Sequence, residues 1–286
     1  MSDSKVRYPQ LRPCRSAVPG VRGSTGLMRH AIGVTVIEAG SPEVVHQLAP
    51  GGVLRAAINL GNPVLAHSSP EGGEPTGVSV DLARELGSRL TVPVALVTFD
   101  AAASVVAALQ TQSWDVAFLA VDPVRASKIL FTAPYVIIEG TYLVRDDSPL
   151  QVVEQFDRPG VRIAVGKGAA YDLYLTRTLR DAELVRSETS AGAVELFLAA
   201  GLDAAAGVKR ALLDYASAHA GLRVIGGRFV ALEQAMGTPQ GRPAARAYLQ
   251  AFVEDVKRSG LVAAALERSG QREARVAPPQ ATWPYG

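Results

Sequence analysis

The stretch that decides the architecture is Asp122-Pro123-Val124-Arg125-Ala126-Ser127-Lys128-Ile129-Leu130-Phe131-Thr132-Ala133-Pro134-Tyr135, which runs directly into Tyr135–Val144. Tyr135–Val144 is rich in β-branched and aromatic residues, the composition of a pleated, half-buried surface. It is much longer than the strand-like segments around it. A second long run of the same kind covers Arg228–Met236. Between and outside the two runs, the hydrophobic period alternates between that of a strand and that of a helix.

On the N-terminal side, Leu54–Leu60 reads as a buried strand, broken by Gly61-Asn62-Pro63. Val80–Leu90 places Leu82, Leu86 and Leu90 on one helical face. Val92–Thr98 is strand-like, Ala102–Thr111 helical, and Asp115–Val121 a strand. A short helix over Pro42–Ala49, capped by Ser41, precedes them. Beyond Val144, strands are expected at Arg162–Val165, Ala182–Arg186, Leu202–Ala206 and Leu222–Ile225, with helices at Ala169–Leu179, Ala191–Ala200 and Lys209–Ala218. Arg242–Ser259 is a long amphipathic helix, with Tyr248, Phe252 and Val256 on one face, and Leu261–Ser269 a shorter one. Strands alternating with helices imply βαβ units and mostly parallel sheets.

Two α/β units with long β runs at both junctions imply an α/β protein of two lobes. Each lobe is a mostly parallel sheet flanked by helices, and two crossing strands join them. The expected division is a disordered arm over residues 1–40, a first lobe from 41–137 plus 232–270, a second lobe from 138–231, and an irregular tail over 271–286.

Composition excludes several classes. The chain has 286 residues, 29 Lys+Arg and 27 Asp+Glu, a formal net charge of +2. So balanced a charge argues against a nucleic-acid partner, which calls for a concentrated basic face. With 48% hydrophobic residues, the chain can bury a sizeable core. The single Cys14 rules out an internal disulfide framework and Cys-based metal sites, and the four His residues fit no metal spacing. No run reaches the roughly 18 apolar residues of a membrane span. Ala31–Ala39 makes a poor secretory signal, because Glu38 interrupts a short apolar run.

Few residues suggest chemistry. Gly166-Lys167-Gly168 follows a strand and opens a helix, a turn able to present backbone N–H groups to an anion. It has neither Walker nor GxGxxG spacing. No Ser sits in a nucleophile elbow, and Asp172 and Glu188 have no evident catalytic partner. The residues favour binding over catalysis.

From Gly52 to about Gly270 the chain resembles the periplasmic solute-binding proteins of amino-acid ABC transporters, the family 3 type. The resemblance rests on Gly77-Val78-Ser79-Val80-Asp81-Leu82, Trp114-Asp115-Val116-Ala117, Asp122-Pro123-Val124-Arg125 followed by Leu130-Phe131-Thr132-Ala133-Pro134-Tyr135, the turn within Val165–Ala170, Gly201-Leu202-Asp203-Ala204, and Pro239 with Gly241. It implies two lobes closing over a small carboxylate or amino-acid-like ligand by hinge bending. An ABC permease would be the partner, with no cofactor and a monomeric chain. It also implies the periplasm, although the weak export signal leaves the cytoplasm open.

Within that resemblance, Arg125 takes the place of the arginine that grips the ligand carboxylate, and a guanidinium fork suits the task. The chain departs from the family pattern at several positions. Asp122 stands where Thr or Ser is usual, Ala169-Ala170 replace two hydroxyl residues, and Asn59, Asn62 and Ala102 replace aromatic platforms. Ala205–Lys209 contains no carboxylate for an α-ammonium. Either Glu139 or Glu233, one in each crossing run, takes over that task, or the ligand has no free α-amino group; the second is the simpler. The candidate ligand-binding set is Arg125, Asn59, Asn62, Asp122, Lys167, Gly168, Ala170, Glu139 and Glu233. Cyclohexadienyl dehydratase resembles the chain equally well, but Ala211 occupies the place of its general acid, which argues against that activity.

Overall fold

The computed structural model describes residues 40–69 and 72–279. Apart from Gly40, the arm expected over residues 1–40 lies outside the described residues, as do residues 280–286 of the tail. Among the described residues, nine α-helices and ten strands alternate largely as the sequence implies. The first half carries α1 (Pro42–Leu48), β1 (Leu54–Asn59), α2 (Val78–Leu90), β2 (Val94–Phe99), α3 (Ala102–Ala107), β3 (Val116–Ala120) and α4 (Pro123–Ala126). The long β4 (Ile129–Arg145) leads into β5 (Arg162–Gly166), α5 (Ala170–Thr178), β6 (Glu183–Ser187), α6 (Ser190–Ala199), β7 (Ala204–Val208), α7 (Lys209–Ala218) and β8 (Leu222–Val224). The chain then returns through β9 (Val230–Pro239) to α8 (Pro243–Arg258), α9 (Leu261–Arg268) and β10 (Arg275–Val276).

The strands pair in the order β2-β1-β3-β9-β4-β7-β5-β6. β2, β1 and β3 are parallel to one another, and so are β7, β5 and β6. β9 closes the first trio antiparallel to β3, and β4 closes the second antiparallel to β7. β4 and β9 pair with each other from Ile129↔Pro239 to Gly140↔Val230. The result is the two-lobed α/β architecture that the two long β runs imply, with both runs serving as crossing strands.

Each sheet buries both faces. In the first lobe, α2, α8 and α9 pack Leu82, Leu86, Leu249, Phe252 and Val262 against Leu54 and Ile58 of β1. The opposite face holds Trp114 with Val105, Leu119 and Phe131, and the Trp114 indole N–H donates to Val105 O at 2.8 Å. In the second lobe, Tyr142 stacks on Phe156 at 3.9 Å between ring centroids, and Phe197, Leu202 and Leu212 fill the other face. Among the described residues, no helix is long and apolar enough to cross a membrane.

Several local features differ from the sequence reading. α3 stops at Ala107 instead of Thr111, because Gln112 takes a left-handed φ of 49° and the chain turns to bury Trp114. β4 begins at Ile129, ahead of Tyr135, across an irregularity at Pro134, which has no N–H to donate to a ladder. There the Ala133 N–H donates to Gln250 Oε1 at 2.7 Å, and the Met236 N–H to Thr132 Oγ1 at 3.2 Å. Pro123–Ala126 forms a one-turn helix, which the sequence reading does not anticipate. The tail, expected to be irregular, contributes β10, which pairs with Val136 and Ile137 of β4.

One charged cluster ties the first lobe together. Asp115 is fully buried. Its carboxylate accepts from Arg55 Nε at 2.8 Å and Nη2 at 2.9 Å, and from Arg242 Nη1 at 2.9 Å. Arg242 also reaches Gln47 O at the end of α1. We expect Asp115→Ala to cost about 3 kcal/mol, because it leaves two guanidinium groups without their shared acceptor. A denaturant midpoint unchanged from the wild type would show that the cluster contributes nothing.

Candidate functional site

The carboxyl ends of parallel strands are where α/β sheets place their ligands. Here those ends meet across the crossing strands. The end of β1 supplies Asn59, followed by Gly61 and Asn62. The end of β3 supplies Leu119 and Ala120, with Arg125 just beyond. The end of β5 supplies Gly166 and Lys167, and Ala170 and Tyr171 open α5. Ser190, Val208 and Gln234 complete a cavity of about 40 Å³.

Arg125 sits between the lobes. It is 2% exposed. Its Nη1 donates to Ala120 O within its own lobe and its Nη2 to Gly168 O of the opposite lobe, both at 2.9 Å. Burial pulls the guanidinium pKa down to about 10, while the Asp122 charge pulls it up. The group is therefore still a cation near neutrality. Carbonyl oxygens accept from it but do not neutralise it, and the residue lines the cavity.

Asp122, also 2% exposed, caps α4 by accepting from the Val124 N–H at 2.9 Å. Its Oδ2 lies 2.7 Å from Arg177 Nη1 of the second lobe, but off the donor axis. This is a charge contact across the cleft, not a hydrogen bond. Asp122 is thus spent on Arg177 and on the α4 N-terminus, and it does not line the cavity.

The turn after β5 is less open to an anion than its sequence suggests. The Lys167 N–H donates to Ser187 O, the Gly168 N–H to Asp172 Oδ2 at 2.8 Å, and the Ala169 N–H to Gly166 O. The N–H groups still without an intrahelical partner are those of Ala170, Tyr171 and Asp172, in the first turn of α5. Gly168 holds a φ of +69°, and a Cβ there would meet Ala103 Cβ at 3.0 Å, so a glycine lets the lobes approach. Lys167 pairs with Glu188 at 3.2 Å, and both side chains are largely in water.

Of the candidate residues, Arg125, Asn59, Asn62, Lys167 and Ala170 line the cavity, and Gly168 reaches it through its carbonyl bond to Arg125. Glu139 and Glu233 do not line it. Glu139 accepts from Arg228 Nη1 at 2.7 Å and from Lys209 Nζ at 3.0 Å. Desolvation pushes its carboxyl up, but these two cations outweigh it and hold the pKa below the ordinary value. Glu233 is half-buried, and desolvation raises its carboxyl. Strand alternation instead turns its neighbour Gln234, 2% exposed, toward the cavity. The sequence reading leaves Gln234, Tyr171 and Ser190 out of the site, and considers Glu188 only as an acid without an evident catalytic partner. Only Gln234 carried a signal, as the polar position next to Glu233 in an apolar run.

Comparison with known proteins agrees with this fold. Residues 54–271 match the bacterial extracellular solute-binding proteins, family 3. No curated protein sequence matches the chain. Among solved structures, a mutant of ArgBP from T. maritima superposes with a TM-score of 0.69 at 18% identity, over 80% of this chain and 100% of that one. An ancestral amino acid-binding protein, a precursor of cyclohexadienyl dehydratase, gives 0.66 at 22% identity over 78% and 97%. A putative binding component of an ABC transporter from Wolinella succinogenes, complexed with lysine, gives 0.66 at 21% identity over 76% and 95%. At these identities the likeness is one of fold.

The pairing of Glu139 gives a measurable pH dependence. A carboxyl whose pKa is depressed on folding adds stability above its ordinary pKa and loses it as pH falls through the folded value. We expect Glu139→Gln to cost about 1–2 kcal/mol at pH 7, with the difference from wild type shrinking as pH falls below the ordinary carboxylate range. A difference that stays constant over that range would place the loss elsewhere than in the charge.

Proposed function

We propose, on the premise that this chain belongs to the bacterial extracellular solute-binding proteins of family 3, that the solute it holds is a small carboxylate lacking an α-ammonium. Solute binding is the role of the family. The choice of ligand rests on one observation: Arg125 is a buried cation at the cavity, and no buried carboxylate lines that cavity. Asp122 is engaged by Arg177, and Glu139 by Lys209 and Arg228. Glu188 is the one carboxylate among the lining residues, and its side chain is 85% exposed and paired with Lys167. An ammonium brought into the interior would stay unpaired, at a cost of several kcal/mol.

Asn59 and Asn62 each spend their Oδ1 on a neighbouring backbone N–H. That leaves their Nδ2 groups as donors, suited to an anion. With the Ala170 and Tyr171 N–H groups on the other side, a carboxylate would meet donors from both lobes, and this couples binding to closure. The ABC permease is the proposed partner. We propose no catalysis. Ala211, in the place of the dehydratase acid, has no proton to give, and a leaving hydroxide needs one.

Arg125→Gln is expected to weaken carboxylate binding at least about a hundredfold, the scale of a lost charge-assisted bidentate contact. Calorimetry with unchanged affinity would reject the role.

For the native protein, affinity should hold between about pH 6 and 9. It should then fall roughly tenfold per pH unit above about 10, as the guanidinium loses its proton. An affinity that stays flat through pH 11 would contradict a charged anchor.

The ammonium question is answered by titrating an α-amino acid beside its deaminated analogue. The deaminated compound should bind at least as tightly. An amino acid that binds more than tenfold tighter would overturn the choice of ligand.

A further inference from the structure

Beside the Arg125 cavity lies a larger one, of about 470 Å³. The two share Gly61, Tyr171, Ser190 and Val208 in their walls, so they adjoin each other. The larger cavity is walled mainly by hydrocarbon: Leu60 and Pro63 from the first lobe, and Val194, Ala211, Leu212 and Tyr215 from α6 and α7 of the second. Its volume is above the roughly 150 Å³ that accepts a benzene ring, and it lies within the range of ordinary small-molecule sites, roughly 300–1,000 Å³.

Charge narrows the choice further. Asp100 and Glu195 stand at this cavity, both exposed. The apolar walls offer a second carboxylate on the ligand no partner, and these two acids add a weak, screened repulsion. Being in water, they would return little to a distal cation.

Resting on the carboxylate reading above, we infer that the ligand is a monocarboxylate with a bulky apolar body, of the size of a phenyl group or a branched alkyl chain. Its carboxylate lies on Arg125, and its body fills the Leu60–Leu212 cavity. The body leaves water as it enters and displaces no polar partner, so affinity rises with its apolar area. Ala211 matters here because it is the smallest side chain on the α7 wall. A leucine there keeps the helix and takes up space in the cavity.

The test is a calorimetric series of propionate, hexanoate, 3-phenylpropionate and 6-aminohexanoate on the wild type, Ala211→Leu and Arg125→Gln. We expect 3-phenylpropionate to bind the wild type at least about thirtyfold tighter than propionate. Ala211→Leu should bring that ratio below about threefold, and 6-aminohexanoate should bind more weakly than hexanoate. Equal affinities along the series, or 6-aminohexanoate binding the tighter, would overturn the apolar body. If Arg125→Gln still removes binding in that case, the carboxylate anchor stands. A full series on the wild type that Arg125→Gln leaves unchanged would overturn the anchor and the inference together, as would no binding of any compound. The wild-type series decides the matter even if Ala211→Leu fails to fold.

Discussion

β4 and β9 are zipped to each other across both lobes, from Ile129↔Pro239 to Gly140↔Val230, and the rest of the molecule is arranged around that pairing. Neither lobe completes its sheet alone: β9 closes the first trio against β3, and β4 closes the second against β7. Hydrogen bonding therefore continues through the crossing, so relative motion of the lobes is confined to bending and twisting of two paired strands. The same pairing turns the carboxyl ends of β1 and β3 toward those of β5 and β7. Across that junction Arg125 Nη2 donates to Gly168 O of the far lobe at 2.9 Å.

The electrostatics of the cleft follow from how its acids are spent. Asp122 holds Arg177, Asp172 holds Arg186 and the Gly168 N–H, and Glu139 holds Lys209 and Arg228. These three carboxylates are each committed to another cation, and Asp122 also acts on Arg125 through its charge. Two of these pairs have mechanical consequences. Asp122–Arg177 spans the lobes, and the Glu139 cluster sits where β4 meets the start of the return strand. Acids that look like ligand contacts in the sequence thus serve in structural ion pairs, while the guanidinium remains a cation at the cavity. The wall beyond it is apolar, which is the division expected of a site that anchors one polar group and measures the rest by shape.

The architecture was legible because it is written in period and length. Tyr135–Val144 and Arg228–Met236 were too long for strands of one lobe, and the alternation around them left few other topologies. Local punctuation was harder to read. The end of α3 depends on where Trp114 finds room, a tertiary matter, and β10 is too short to have a period. At the site, Arg125 could be read from its surrounding string. Glu139 and Glu233 drew attention as acids in apolar runs, but a sequence cannot show which face of a crossing strand looks into the cleft. Gln234 faces the cavity and Glu233, one residue away, does not. Nor could a sequence show that the Gly168 N–H is already held by Asp172. The apolar cavity was not legible at all, since Leu60, Val194, Ala211 and Leu212 are ordinary strand, loop and helix residues until the lobes face each other.

The most direct measurement is a crystal structure of the chain grown with 3-phenylpropionate. The expected density places the carboxylate within about 2.7–2.9 Å of Arg125 Nη atoms, with the ring between Leu60 and Leu212 and no charged group of the protein on the ring. A carboxylate bound away from Arg125, or a ring lying outside that cavity, would contradict the division of the cleft into one cationic anchor and one apolar pocket.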